Sequence, residues 1–357
     1  MSSIPTLPGI TSTLVDTARL KSHVLSAGPA DGEVVVFIHG NASSATFWEE
    51  QLLALPAGYR GLAIDLRGYG DTEDLVIDAT RGLRDWADDV LATLAALHVT
   101  SFHVVGHSLG GMLLYTLAGL ATDGAVKSVT LVAPGSPYGF GGTKDVDGTL
   151  CWPDFAGAGG GLVNAEFARL MGEKNRGSDN PQASPRVVMN SFYWKPPFLP
   201  AREEALLSSL LSEKVGADRY PGDATPSSNW PGVSPGLYGP LNAASPKYIG
   251  DSLDRFLAQQ TKPPVLWIRG ADDQIVGDAS LFDMGTLGKL GAVPGWPGDI
   301  AFPPQPMLGQ TRAFLDRYKS AGGAFDEVVL EGCGHTPFIE QPAAFGSALH
   351  AHLERAR

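Results

Sequence analysis

The chain has 357 residues, 43% of them apolar and 18% charged, with a formal net charge of −12 at pH 7. That length and balance describe an ordered globular protein, large enough for one big α/β domain carrying an inserted subdomain. The acidity, with no basic run to offset it, argues against nucleic acid or an anionic membrane surface as partner, because both recruit clustered Lys and Arg.

The N-terminal run Met1-Ser2-Ser3-Ile4-Pro5-Thr6-Leu7-Pro8-Gly9 has neither a basic n-region nor an apolar h-region, so it does not read as a secretory leader. No stretch is apolar over the length a bilayer requires. Two cysteines, Cys151 and Cys333, make neither a disulfide framework nor a zinc spacing, and both read as small buried hydrophobes. The expectation is a cytoplasmic protein that needs no metal and no cofactor.

In chain order, segment 11–26 offers one or two edge strands. Glu33–Ile38 is a continuous apolar run, as are 61–66, ending in Arg67-Gly68-Tyr69-Gly70-Asp71, and then 102–106 and 128–133. Two more runs come late, at 264–269 and 325–330. Continuous runs suit strands covered on both faces. Helix-like stretches lie between them at 46–55, 82–97, 109–121, 307–320 and 342–354. The apolar positions Leu83, Trp86, Val90, Leu94 and Leu97 recur at helical spacing. This alternation predicts a mostly parallel sheet with helices on both faces. It stops at Pro134 and resumes near Lys262. The reading is therefore a core of 1–134 and 262–357, interrupted by a mainly helical cap at 135–261. A second irregular stretch runs from Asp278 to Gln305.

The most specific run is Gly106-His107-Ser108-Leu109-Gly110-Gly111, between a strand and a helix of small and apolar residues. A Gly-x-Ser-x-Gly turn in that setting presents serine at a sharp corner, with helix N–H groups aimed at it. A serine hydroxyl needs a base to attack, and the base needs a carboxylate to hold its tautomer. In an α/β sheet these groups converge at the carboxyl ends of the strands. His335 follows the last strand through Glu331-Gly332-Cys333-Gly334 and is the candidate base. Asp273 or Asp272 ends the penultimate strand run; Asp273 is favoured, since Asp272 suits a turn role. For the oxyanion, the backbone N–H groups of Leu109 and of Asn41 are the candidate donors, and the Asn41 side chain could donate as well. His39 reads as fixing its own turn, and His103 and His107 as structural.

Together, His39-Gly40-Asn41, Asp65-Leu66-Arg67-Gly68-Tyr69-Gly70, the Ser108 run, Gly270-x-x-Asp273 and Gly332-x-Gly334-His335-x-Pro337 resemble the α/β-hydrolase fold superfamily. The run His39–Ser44 followed by Phe47-Trp48 is similar to that of haloalkane dehalogenases, epoxide hydrolases and some N-acyl-homoserine lactone hydrolases. The first two groups use an aspartate at the elbow, where this chain has Ser108. The resemblance therefore implies acyl transfer to water, without cofactor or metal. The aromatic cap suggests an apolar cavity, with Trp152, Tyr193, Trp194 and Trp230, and Trp296 of the later stretch, as candidate substrate contacts. The expected activity is hydrolysis of a hydrophobic ester or lactone. The alternatives are C–C bond hydrolysis of a vinylogous diketone and small-molecule binding on a hydrolase scaffold.

Overall fold

The apolar runs become strands because they can be covered on both sides. In a computed structural model describing residues 3–357, Glu33–Ile38 and Phe102–His107 lie at the sheet centre and are almost wholly buried. Met1 and Ser2, part of the N-terminal run read above, lie outside the described residues. The main sheet has eight strands: β1 Thr11–Asp16, β2 Lys21–Ala27, β3 Glu33–Ile38, β4 Tyr59–Ile64, β5 Phe102–His107, β6 Val126–Val132, β7 Val265–Gly270 and β8 Phe325–Leu330. Their spatial order is β1-β2-β4-β3-β5-β6-β7-β8. β2 runs antiparallel to β1 and β4, while the remaining pairs are parallel. The edge strands β1 and β8 are largely uncovered, and their residues are correspondingly mixed.

The helices of eight or more residues are α1 Arg84–Ala96, α2 Leu109–Leu120, α3 Ala165–Gly172, α4 Pro185–Phe192, α5 Glu203–Leu210, α6 Met307–Ser320 and α7 Pro342–Arg355. On one sheet face Val36 and Val104 meet Trp86, Leu113, Phe314 and Tyr318. On the other, Val35, Phe37 and Val105 meet Trp48, Phe338 and Leu349. Register decides what the strands present at their ends. Ile38 lies opposite Gly106, so the loop after β3 and the turn after β5 emerge side by side.

Helices α3 to α5 leave the sheet after β6 and pack, through Met171, Met189 and Leu207, on the cluster that contains Ala42 and Phe47. Their starts follow local chemistry: Asn164 accepts from the N–H groups of Glu166 and Phe167, and Ser184 caps α4 with Pro185 in the first turn. Two features depart from the sequence reading. The helix Ser252–Ala258, inside the 135–261 insertion, covers α2 of the core, with Phe256 and Tyr115 ring centroids 5.6 Å apart and Thr116 Oγ1 donating to Ser252 Oγ at 2.9 Å. Conversely, the irregular 278–305 stretch packs on the 135–261 insertion. It contains the helix Met284–Lys289, started by Asp283, and buries Phe302 against Trp230 and Met284.

Candidate active site

The turn after β5 holds Ser108 at φ 54° and ψ −116°, a conformation that L residues rarely adopt. Backbone bonds secure it: Ser108 N–H donates to Val132 O at 2.9 Å, and Met112 N–H to Ser108 O at 3.1 Å. Gly110 explains how the turn closes. A Cβ there would lie 2.4 Å from His39 O and 2.7 Å from Ile38 O. Only a residue without a side chain lets α2 start against the end of β3, and this brings Leu109 beside the His39–Asn41 loop.

The loops after β7 and β8 meet for a similar reason. A Cβ on Gly270 would fall 2.1 Å from Gly334 O and 2.3 Å from Cys333 O, so the glycine admits the His335 loop. There His335 Nδ1 and Asp273 Oδ2 are 2.7 Å apart, both side chains buried. Asp273 is itself oriented, since its Oδ1 accepts from Ile275 N–H at 2.8 Å and Val276 N–H at 3.0 Å. Asp272 points elsewhere and pairs its partly exposed carboxylate with Lys195 Nζ at 2.9 Å. His107 Nε2 donates to His335 O at 2.9 Å, and the two rings lie 4.6 Å apart. Burial, followed by the neighbouring His335, pushes the His107 imidazole well below its usual range, so it stays neutral. Among the described residues the Ser108 hydroxyl has no hydrogen-bond partner. Ser108 and His335 line one cavity.

The loop after β3 is built around His39, which donates from Nδ1 to Gly40 O at 2.7 Å and accepts from Leu66 N–H at Nε2, 3.0 Å. Burial lowers its pKa against the pull of Asp65, in keeping with a neutral ring. Asn41 Oδ1 accepts from the Tyr69 hydroxyl at 2.9 Å, and Ala42 O accepts from the Tyr193 hydroxyl at 2.9 Å. Tyr193 O in turn accepts from Thr336 N–H at 2.8 Å, so this residue of the 135–261 insertion ties the Asn41 loop to the His335 loop. Asn41 and Leu109 both line the cavity beside Ser108.

One group of potential metal ligands gathers nearby, His23, Asp65 and Asp71. The protein itself uses the central carboxylate. Asp65 Oδ2 meets His23 Nδ1 at 2.6 Å and Asp71 N–H at 2.9 Å, and Oδ1 accepts from Ala45 N–H at 2.7 Å. Burial works to raise the Asp65 pKa, yet the His23 hydrogen bond and charge hold it below its usual value. The cluster joins the end of β4 to the Asn41 loop.

The cavity encloses about 390 Å³, a size suited to a small organic molecule. Met112, Phe140, Phe167, Val188, Phe192 and Phe282 are among its apolar walls, and among the described residues no Lys, Arg, Asp or Glu lines it. Of the five aromatic contacts expected from sequence, Tyr193 alone reaches this wall. Trp194 is buried in the cluster beneath. Trp230 and Trp296 spend their indole N–H groups on Pro294 O and Phe302 O, and Trp152 packs beside Met284 and Phe302. Trp152, Trp230 and Trp296 thus brace the 278–305 stretch and the part of the insertion packed on it, while Trp194 packs on the sheet side, roles that large aromatics take when long-range neighbours enclose them. Phe282 and Phe192, 5.1 Å apart edge to face, take the place assigned to them. Nothing local in the sequence separates Phe282 from Trp296 of the same irregular stretch; only packing sets the first on the cavity wall and the second behind it.

Comparison with known proteins agrees with this architecture. The model of the alpha/beta hydrolase family matches residues 35–348. RutD of Variovorax paradoxus, named for carbamate hydrolysis, is 43% identical over 106 residues, 29% of this chain and 39% of RutD. Epoxide hydrolase B of Mycobacterium tuberculosis is 32% identical over 130 residues, 33% of this chain and 36% of the relative. The chain thus spans under two fifths of the length of the curated relatives it matches. The crystal structure of the esterase RhEst1 from Rhodococcus sp. ECU1013 superposes with a TM-score of 0.55 at 22% identity, covering 98% of this chain and 100% of that one. At that identity the likeness concerns the fold.

Proposed function

The chain belongs to the alpha/beta hydrolase family, and from that premise we propose that it is a cofactor-independent serine hydrolase cleaving a carboxylic ester or lactone of an uncharged, hydrophobic small molecule. The observation that carries this reading is the 2.7 Å contact of His335 Nδ1 with Asp273, in a loop that shares its cavity with Ser108 at the elbow. In the proposed reaction Ser108 Oγ attacks the carbonyl carbon while His335 Nε2 takes the hydroxyl proton. Asp273 keeps the proton on Nδ1 and stabilises the imidazolium that forms. The carbonyl oxygen becomes an oxyanion facing the Leu109 and Asn41 N–H groups. Collapse breaks the C–O bond, and the departing alkoxide takes the proton from His335. Water, deprotonated by the same imidazole, then cleaves the acyl-enzyme and frees Ser108.

The wall chemistry supports the substrate class. With no Lys, Arg, Asp or Glu on the lining among the described residues, an ionised acyl or alcohol group would be desolvated without a counter-ion. Epoxide opening, the activity in one relative's name, is not proposed, because the resemblance ties it to an elbow aspartate. The test is labelling with a fluorophosphonate followed by peptide mass spectrometry, beside a panel of p-nitrophenyl esters, lactones and ring-fission diketones. Modification at Ser108 with turnover of neutral esters or lactones is expected. An unlabelled Ser108 in active enzyme, or turnover confined to the diketones, would sink the reading.

A further inference from the structure

Behind the Asn41 loop lies a carboxyl group that the proposed mechanism does not use. Glu213, in the turn after α5, is 1% exposed, and neither of its carboxyl oxygens has a partner at full hydrogen-bond geometry. The groups that face it are the Tyr69 hydroxyl and the Ala42 N–H, with the phenols of Tyr193 and Tyr220 close by. The nearby cations are spent on carbonyls. Lys174 Nζ donates to Leu211 O and Glu213 O, and Lys214 Nζ donates to Gly70 O at 2.9 Å and Ser212 O at 3.1 Å. Ala42 holds φ 46°, so the loop that the carboxyl faces is strained at that residue.

A carboxylate so enclosed, with no cation paired to it, is far costlier than the neutral acid. Burial accordingly pushes the Glu213 carboxyl well above its ordinary range, and Lys174 does not reverse this. The neutral acid also fits its neighbours better. Its C=O can accept from Ala42 N–H, and its O–H can donate to the Tyr69 oxygen. Tyr69 is then free to send its own proton to Asn41 Oδ1, the bond seen at 2.9 Å. With Oδ1 engaged as acceptor, the Asn41 amide has only its N–H₂ left to offer, as a donor, to the cavity that Asn41 lines. An ionised Glu213 only accepts. It would draw the Tyr69 proton to itself, leave the Tyr69 oxygen to accept from the Asn41 amide, and turn Oδ1 towards the developing oxyanion.

We propose that Glu213 is a positioning residue, a buried neutral acid whose proton sets the direction of the relay Glu213–Tyr69–Asn41 and so aims the Asn41 amide at the oxyanion. The inference rests on the hydrolase reading above. Its first test compares Glu213→Ala, Glu213→Gln and Tyr69→Phe in kcat and KM, with folding checked by circular dichroism. Misaiming one oxyanion donor should cost about ten- to a hundred-fold in kcat with KM nearly unchanged, for Glu213→Ala and Tyr69→Phe alike. Glu213→Gln presents an acceptor to Ala42 and a donor to Tyr69, and should rescue kcat to within about threefold of wild type. A second measurement needs no substrate. The infrared spectrum of wild type should contain the carbonyl stretch of a protonated carboxylic acid that Glu213→Gln lacks. Its Tm should also fall relative to Glu213→Gln as pH rises above about 4.5, since the unfolded chain then ionises Glu213 and the native one does not. Three results would each overturn the proposal: Gln as slow as Ala, a folded Ala variant with wild-type kcat, or no acid band at neutral pH. The infrared and Tm arms hold or fail whatever Ser108 does, which separates this inference from the function it rests on.

Discussion

Asp272 and Asp273 are chemically identical neighbours, and their surroundings alone divide their work. Asp273 has one oxygen on two backbone N–H groups and the other on His335, whereas Asp272 faces Lys195 with its carboxylate partly in solvent. Asp273→Asn should therefore leave the protein folded and lower kcat near neutral pH by roughly four decades, since an amide favours the wrong imidazole tautomer. Asp272→Asn removes an exposed ion pair, which costs about 1 kcal/mol at most, and should change kcat less than threefold. Steady-state kinetics on the two variants decides it. Equal losses would mean that both act through the loop and that the acid is neither. At this scale the candidate residues were readable because each sits a few positions after a strand. Glu213 was not. It lies in the insertion, far in sequence from Tyr69 and Asn41, and no spacing rule links a turn glutamate to a loop it meets only after folding.

For the elements, the decisive contact is α2 against the end of β3. Replacing Gly110 with alanine would improve intrinsic helix propensity by about 1 kcal/mol. Against this, the new Cβ would sit 2.4 Å from a backbone oxygen that cannot swing aside. Overpacking of that kind costs roughly 1–3 kcal/mol or more and moves backbone, so the clash wins. Gly110→Ala should lower Tm by several degrees and depress kcat more than KM, because α2 carries Ser108 and Leu109 away from the Asn41 loop. Calorimetry and kinetics on the purified variant check this; an unchanged or raised Tm would show that the helix start is looser than drawn. The strands of the sheet were legible as continuous apolar runs, since burial on both faces removes alternation. The helix Met284–Lys289 was not. Two of its six residues are glycines, and it exists because Asp283 caps it while Phe302 and Pro303 pack close by.

Across the whole molecule, buried imidazoles set the acid limit. Burial lowers His39, His103 and His107, and burial followed by the charge of Arg355 brings His352 from its usual 6.5 down to about 4. Because these folded-state values lie below the unfolded ones, the unfolded chain binds protons first, and stability is lost as pH falls below about 6.5. For His352 alone, the window from 6.5 to about 4 is worth on the order of 3 kcal/mol. Glu213 acts in the opposite sense, its contribution declining as pH rises above about 4.5, so Glu213→Gln should display the histidine-driven loss undiluted. Thermal melts from pH 7 to pH 4 measure it, and a Tm that rises through that window would contradict the neutral histidines. Among the described residues no helix is long and apolar enough to cross a membrane.

Local order was open to reading from the chain itself. Strand runs, the elbow and the loop histidine all express short-range rules: two-sided burial, a glycine-flanked turn, a side chain placed just past a strand end. The fold class followed from their alternation. What lines the cavity is another matter, because a tryptophan's neighbours come from distant segments. Trp296 and Trp230 look alike as sequence, as do Phe282 and Phe302, yet packing turns Phe282 to the cavity and seals Phe302 behind it. The same holds for the polar relay behind Asn41. Its members come from the loop after β4, the turn after α5 and the loop after β3. Only the closing of the tertiary structure brings their donors and acceptors within reach and, by excluding water, makes the charge on Glu213 matter.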